Sequence, residues 1–107
     1  MALAMGWDEW AAHDAVALAG RLRGGELSAA ELAAQVAAAA ARLNPLLDAV
    51  VEVFDDAAAE PFAAGARRDG FFAGLPFMVK DLGPTLAGRL QEMGSLFMRG
   101  HRAGEDS

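Results

Sequence analysis

Apolar residues in the first half of the chain recur with the period of an α-helix. After Asp14 they fall at i, i+3, i+4 and i+7, as Ala15, Leu18, Ala19 and Leu22. Asp14 is a favourable N-cap residue, and Gly24-Gly25 is typical of a helix end. The pattern therefore predicts a first helix between these signals.

The second helix has the clearest start signal in the sequence. Ser28 and Glu31 have the spacing of a capping box, in which each side chain bonds the other residue's backbone amide. An apolar stripe follows, formed by Leu32, Val36, Ala39 or Ala40, and Leu43. Pro45 disfavours helix at Asn44, so the helix is predicted to end there. The two helices, joined by a glycine turn, predict an αα-hairpin.

The remaining pattern predicts shorter elements. Residues 1–13 form a lead-in, with Trp7 and Trp10 available as anchors. Residues 49–54 and 77–79 are short apolar runs that predict strands, and a third helix is predicted roughly over 57–68. Residues 82–107 predict a loop with at most one helical turn. Two such strands form no stable sheet alone, so the pattern is typical of the edge of a larger structure.

Composition narrows the possible functions. The chain has 107 residues, room for one small domain, and 54% of them are hydrophobic, although about a quarter of the chain is alanine, which buries little area. A net charge of −6 argues against general nucleic-acid binding. The absence of cysteine excludes disulfides, thiolate catalysis and cysteine metal sites.

Targeting signals are also missing from the pattern. No run approaches the roughly 18 apolar residues that cross a bilayer. Asp8 and Glu9 interrupt the N-terminus, where a signal peptide would need a basic region and an apolar run. We therefore expect a cytoplasmic protein that binds neither a membrane nor nucleic acid.

Lys80 is the main candidate for chemistry. It is the single lysine beside eight arginines, and it directly follows the apolar run 77–79. A solvated surface lysine is the commoner situation. A lysine desolvated at this place would have a lowered pKa and could act as a base, which an arginine cannot do.

Other polar residues give weaker signals. Gly83 and Gly88 have the spacing of a phosphate loop but lack the lysine and hydroxyl residue that should follow. His13 and His101 have no ligand-like neighbours and are expected at the surface. The three serines lie in no nucleophile-elbow pattern, and Ser28 serves as a cap.

Residues 74–81, Gly-Leu-Pro-Phe-Met-Val-Lys-Asp, resemble a segment of the amidase signature family. Three further pieces match in order: residues 25–32, residues 44–51 with Asp48 where the family usually has Asn, and residues 93–95. The resemblance spans 14 to 107. Lys80 matches the family's catalytic lysine, while the adjacent Asp81 could help position the loop and is assigned no proton transfer.

The resemblance implies an α/β fold, a large mixed sheet covered by helices. Residues 14–107 would be the N-terminal part of that domain, truncated. It also implies hydrolysis of carbon–nitrogen amide bonds by a Ser–cis-Ser–Lys triad without metal or organic cofactor. Neutral Lys80 would take a proton from a bridging serine, which activates the serine that attacks the amide carbonyl. Both serines would lie beyond Ser107.

Several expectations follow for the isolated chain. With one triad residue of three, the 107-residue chain is predicted to be inactive. Its partners would be a small-molecule amide substrate in the complete enzyme, and the missing C-terminal portion or another subunit. Two alternatives are the amidase subunit of a tRNA-dependent amidotransferase, and a small non-catalytic helical module that binds proteins, with Lys80 as a surface charge.

Overall fold

The computed structural model describes residues 2–63 and 66–107, and these form two compact units. The first unit comprises Met1–Leu47 and Phe54–Pro76, and the second comprises Asp48–Val53 and Phe77–Ser107. The described helices of the first unit are α1 (Trp7–Ala11), α2 (Ala15–Arg23), α3 (Ala29–Leu47) and α4 (Asp55–Ala59). The second unit contains one described turn of 3-10 helix, Leu96–Met98.

Helix α2 begins and ends at the signals predicted from the sequence. The Asp14 side chain accepts a hydrogen bond from the Ala17 amide at 2.8 Å, which confirms the N-cap. Gly25 follows the helix with φ of 76°, a conformation that favours glycine. The Glu26 amide donates to the Arg21 carbonyl at 3.0 Å, as in a Schellman motif.

Helix α3 begins at the predicted capping box but continues past its predicted end. The Glu31 amide donates to the Ser28 hydroxyl at 3.0 Å, and the Ser28 amide donates to the Glu31 carboxylate at 3.2 Å. The helix runs to Leu47 with Pro45 inside it, so the predicted end at Asn44 is wrong. Proline removes one amide donor near the end, and a helix already four turns long propagates past that loss.

The first unit has a small apolar core. Leu32 of α3 is fully buried. It packs with side chains from the N-terminal segment, from α2 and from the turn that follows α2. The buried members are Met5, Leu18, Leu27 and Leu32, with Trp10, Leu22 and Leu75 packed partly buried against them. The stripe predicted for α3 is only partly correct, because Leu43 is 48% exposed while Gln35 is completely buried.

Gln35 ties the N-terminal segment to α3. Its Nε2 donates to the Met5 carbonyl at 3.1 Å, and its Oε1 accepts from the Met5 amide at 3.4 Å. Met5 is itself buried. The side-chain amide therefore satisfies both backbone groups of a residue that water does not reach.

Neither predicted strand forms, and the predicted α/β mixed sheet is wrong. Residues 49–54 and 77–79 run without sheet pairing, and the described part of the chain contains no sheet. Its one bridge is an isolated antiparallel pair, Leu90 with Arg102, in the second unit. Apolar, β-branched composition favours an extended backbone, but a strand also requires a neighbouring backbone to pair with.

The predicted third helix is much shorter than expected. Helix α4 ends at Ala59, and Glu60 has φ of −132° and ψ of 76°. Pro61 explains this end, because its ring disfavours the helical conformation at the preceding residue, and the five-residue α4, unlike α3, is too short to propagate past it. Ala64 and Gly65, within the predicted range, lie outside the described residues. In 82–107, the 3-10 turn confirms the predicted loop with at most one helical turn.

Replacing Gly74 with alanine is expected to destabilise the first unit by about 1–3 kcal/mol. Gly74 has φ of 83°, and a Cβ there would lie 2.9 Å from the Phe62 ring and 3.1 Å from the Ala29 side chain. Urea unfolding measures the change. Gly70→Ala is the matched control, because a Cβ there meets nothing within 4 Å. Equal free energies of unfolding for the two variants would contradict the prediction.

Gln35→Leu is expected to destabilise the first unit, also by about 1–3 kcal/mol. Leucine fills a similar volume but leaves the buried Met5 amide and carbonyl without their partners. The same substitution at Gln91, which is half-buried, serves as the control. An unchanged urea midpoint for Gln35→Leu would show that the two hydrogen bonds between Gln35 and the Met5 backbone contribute nothing to the stability of the unit.

Candidate functional site

Lys80 lies on an exposed stretch of the second unit that has no regular secondary structure. Phe77 and Met78 before it are 88% and 67% exposed, and the Lys80 side chain is exposed as well. Within the described residues, no carboxylate forms an ion pair with its ammonium group. The described residues therefore do not bury the Lys80 amine in the way that the sequence analysis required for a base. The role of Lys80 as a base stays a prediction.

Asp81, the next residue, is attached to a distant turn. Its Oδ1 accepts from the Glu92 amide at 3.0 Å, and its Oδ2 accepts from the Met93 amide at 3.1 Å. One carboxylate thus holds two consecutive amides 11 and 12 residues further along the chain. The sequence suggested a positioning role for Asp81 but did not indicate its partners.

The turn that Asp81 holds is formed by residues 92–95. The Ser95 amide donates to the Glu92 carbonyl at 2.9 Å, which closes a four-residue turn. Its central residues, Met93 and Gly94, both have positive φ, 53° and 69°. The Glu92 carboxylate then accepts from the Gly100 amide at 2.6 Å, which fixes the following loop.

The hydroxyl groups of the three serines of the chain all form hydrogen bonds. Ser28 caps α3, and the Ser95 hydroxyl accepts from the Phe97 amide at 3.2 Å. The Ser107 hydroxyl accepts from the Thr85 amide at 2.7 Å. Ser28 and Ser95 therefore act as caps, whereas Ser107 connects the C-terminus to a segment 22 residues earlier.

Glu52 and Arg102 form an ion pair in the second unit, and each of them also bonds a backbone group. The Glu52 carboxylate accepts from the Leu90 amide at 2.8 Å and from Arg102 Nη1 at 3.0 Å. The Leu90 amide lowers the pKa of Glu52 below its ordinary 4.5, and Arg102 and the charge of Arg89 lower it further, while partial burial opposes them. Glu52, which was placed in a predicted strand, was not identified from the sequence as a structural residue.

The described residues offer no other cluster suited to chemistry. No group of three or more His, Cys, Asp or Glu side chains in this part of the chain could hold a metal ion. His13 lies between the Glu9 carbonyl, 2.7 Å from its Nδ1, and Arg21, 3.2 Å from its Nε2. No helix in the described ranges is long and apolar enough to cross a membrane.

Sequence comparison relates part of the chain to mycobacterial proteins named as amidases. A Mycobacterium bovis protein (strain ATCC BAA-935 / AF2122/97) named "Putative amidase AmiC" is 37% identical over 68 residues, 64% of this chain. Proteins of that name from Mycobacterium tuberculosis strains CDC 1551 / Oshkosh and ATCC 25618 / H37Rv match to the same extent. The chain spans 14% of the length of these relatives. No family model and no solved structure matches.

Acidification is expected to weaken the hydrogen bonds that the Glu52 carboxylate accepts from Leu90 and Arg102. Because the pKa of Glu52 is lowered on folding, its contribution to stability is full above about pH 4.5 and is lost as the pH falls through the lowered value. Hydrogen exchange of the Leu90 amide, followed by NMR between pH 6 and pH 3, measures this. Glu52→Gln should flatten that pH dependence, and an equally steep profile in both proteins would contradict the assignment.

Proposed function

We propose that residues 14–107 are the N-terminal part of an amide hydrolase of the amidase signature family. The observation that carries the proposal is the 37% identity to "Putative amidase AmiC" over 68 residues, together with the resemblance of residues 74–81 to a segment of that family. Residues 1–13 precede this part as a lead-in. The substrate would be a small-molecule amide, and the proposed setting is the cytoplasm.

Lys80 is the proposed base of a Ser–cis-Ser–Lys triad. Its neutral amine accepts the proton of a bridging serine, which in turn deprotonates the serine that attacks the amide carbonyl. The proton returns to the leaving amine or ammonia as the carbon–nitrogen bond breaks, and water then hydrolyses the acyl-enzyme. Both serines would be carried by polypeptide outside residues 1–107, either a continuation of the chain or another subunit. The hydroxyl groups of Ser28, Ser95 and Ser107 each hold backbone amides within residues 1–107, which supports this division of the triad.

The exposure of Lys80 fits the same proposal. A base that serves a serine from other polypeptide must be reachable from outside its own unit. Lys80 is exposed, and nothing in the described residues pairs with it. The desolvation that would favour its neutral amine would come from the segment that covers it. The proposal requires neither metal nor organic cofactor.

Coding DNA beyond the Ser107 codon provides the first test. A downstream Gly/Ser-rich segment with two serines supports the hydrolase, whereas a genuine stop codon at that place in several relatives favours the non-catalytic module. Release of ammonia from glutamine only with a partner subunit would instead indicate the amidotransferase subunit. These outcomes separate the three candidate functions.

Lys80→Ala and Lys80→Arg are both expected to lower amide hydrolysis by about a hundredfold or more, the usual size of a lost general base. The assay follows p-nitroaniline release from p-nitroacetanilide by the polypeptide that joins residues 1–107 to its serine-bearing segment. Arg keeps the charge but cannot be a neutral base.

Arg99→Ala removes another exposed cation of the same unit and is expected to leave turnover unchanged. The isolated 107-residue chain is expected to release no p-nitroaniline. Full turnover in Lys80→Ala, or Lys80-dependent turnover by the isolated chain, would each refute the corresponding part of the proposal.

A further inference from the structure

We infer that Asp81 is a positioning residue that orients Lys80 by clamping the Glu92 and Met93 amides. The inference deepens the proposed function and rests on it, since it assigns the group that aims the proposed base. Asp81 touches no reacting atom in this scheme. Its carboxylate acts through the backbone that it shares with Lys80.

The two hydrogen bonds accepted by Asp81, called the clamp here, attach the stretch that carries Lys80 to the turn at Glu92 and Met93. Within residues 77–84, the described hydrogen bonds are the two accepted by Asp81. Residues on both sides of it are exposed, including Met78 and Leu82 at 67% and 57%. Packing therefore restrains this stretch little, and the direction of Lys80 depends on how its neighbour is held.

The far side of the clamp is an unusual turn. Met93 has φ of 53° and Gly94 has φ of 69°, the signs found in type I′ turns. Glycine, Asn and Asp dominate those positions, and a methionine there is strained by its Cβ. Asp81 Oδ2 accepts the amide of that same methionine, so the clamp compensates an otherwise unfavourable backbone.

The two oxygens of Asp81 are used separately, which makes the clamp specific for a carboxylate. Oδ1 accepts from Glu92 and Oδ2 accepts from Met93. An asparagine has the same shape but only one acceptor oxygen, and its NH₂ group would face an amide donor. Asp81→Asn therefore breaks one bond and weakens the other without changing side-chain size.

Amide hydrogen exchange in the 107-residue chain tests the clamp directly. Asp81→Asn is expected to accelerate exchange at Glu92 and Met93 by about tenfold or more, the effect of losing a hydrogen bond to a charged acceptor. The ¹⁵N order parameter of the Lys80 amide should fall in the same variant. Rapid exchange of both amides in the unsubstituted chain would overturn the inference.

Asp106→Asn is the matched control, because Asp106 Oδ1 accepts from the Ala87 amide at 2.7 Å in the same unit. It should accelerate exchange at Ala87 and leave Glu92, Met93 and Lys80 unchanged. A second test uses Met93→Gly, which relieves the left-handed strain. In that background Asp81→Asn should have a smaller effect, and an equal effect would overturn the compensating role of the clamp.

Hydrolysis of p-nitroacetanilide by the serine-containing polypeptide supplies the functional test. Asp81→Asn is expected to lower kcat about tenfold with KM unchanged, whereas Asp106→Asn keeps both. Unchanged kcat, or a change confined to KM, would overturn the positioning role. Retained turnover in Lys80→Ala would instead refute the proposed function, while the exchange data still report whether Asp81 holds the two amides.

Discussion

Hydrogen bonds from backbone amides to carboxylate oxygens hold the second unit together. Glu52 accepts from Leu90, Asp81 from Glu92 and Met93, and Glu92 from Gly100. Among the described residues of this unit, Ala103 is the one buried hydrophobic residue. With so little apolar area to bury, the fold of this unit depends on charge-assisted hydrogen bonds, which are the stronger class. The acidic composition therefore has a structural use here.

The first unit is built differently, around a few apolar side chains and one buried amide. Leu32 is fully buried, and Gln35 on the same helix occupies the neighbouring core position. The N-terminal segment, which is outside the helices at Met5, brings backbone groups into this core. The Gln35 amide satisfies such groups at Met5, which a larger apolar residue could not do.

The starts of α2 and α3 followed local rules, whereas the end of α3, the predicted strands and the site geometry did not. Asp14 and the Ser28–Glu31 box act within one helical turn, so sequence alone located those ends. At 49–54 and 77–79 a strand would need sheet pairing with a distant segment, and the described residues form no sheet. The two amides held by Asp81 lie 11 and 12 residues away, and no periodicity connects them to it.

The sequence by itself determined the helix caps, the turn after α2 and the single lysine. Each of these depends on residue type and on neighbours a few positions away. Only the tertiary structure decided that Gln35 is buried, that Asp81 holds a left-handed methionine, and that Lys80 is exposed beside this clamp. Those features arise when segments distant along the chain meet, and local spacing carries no information about which segments do so.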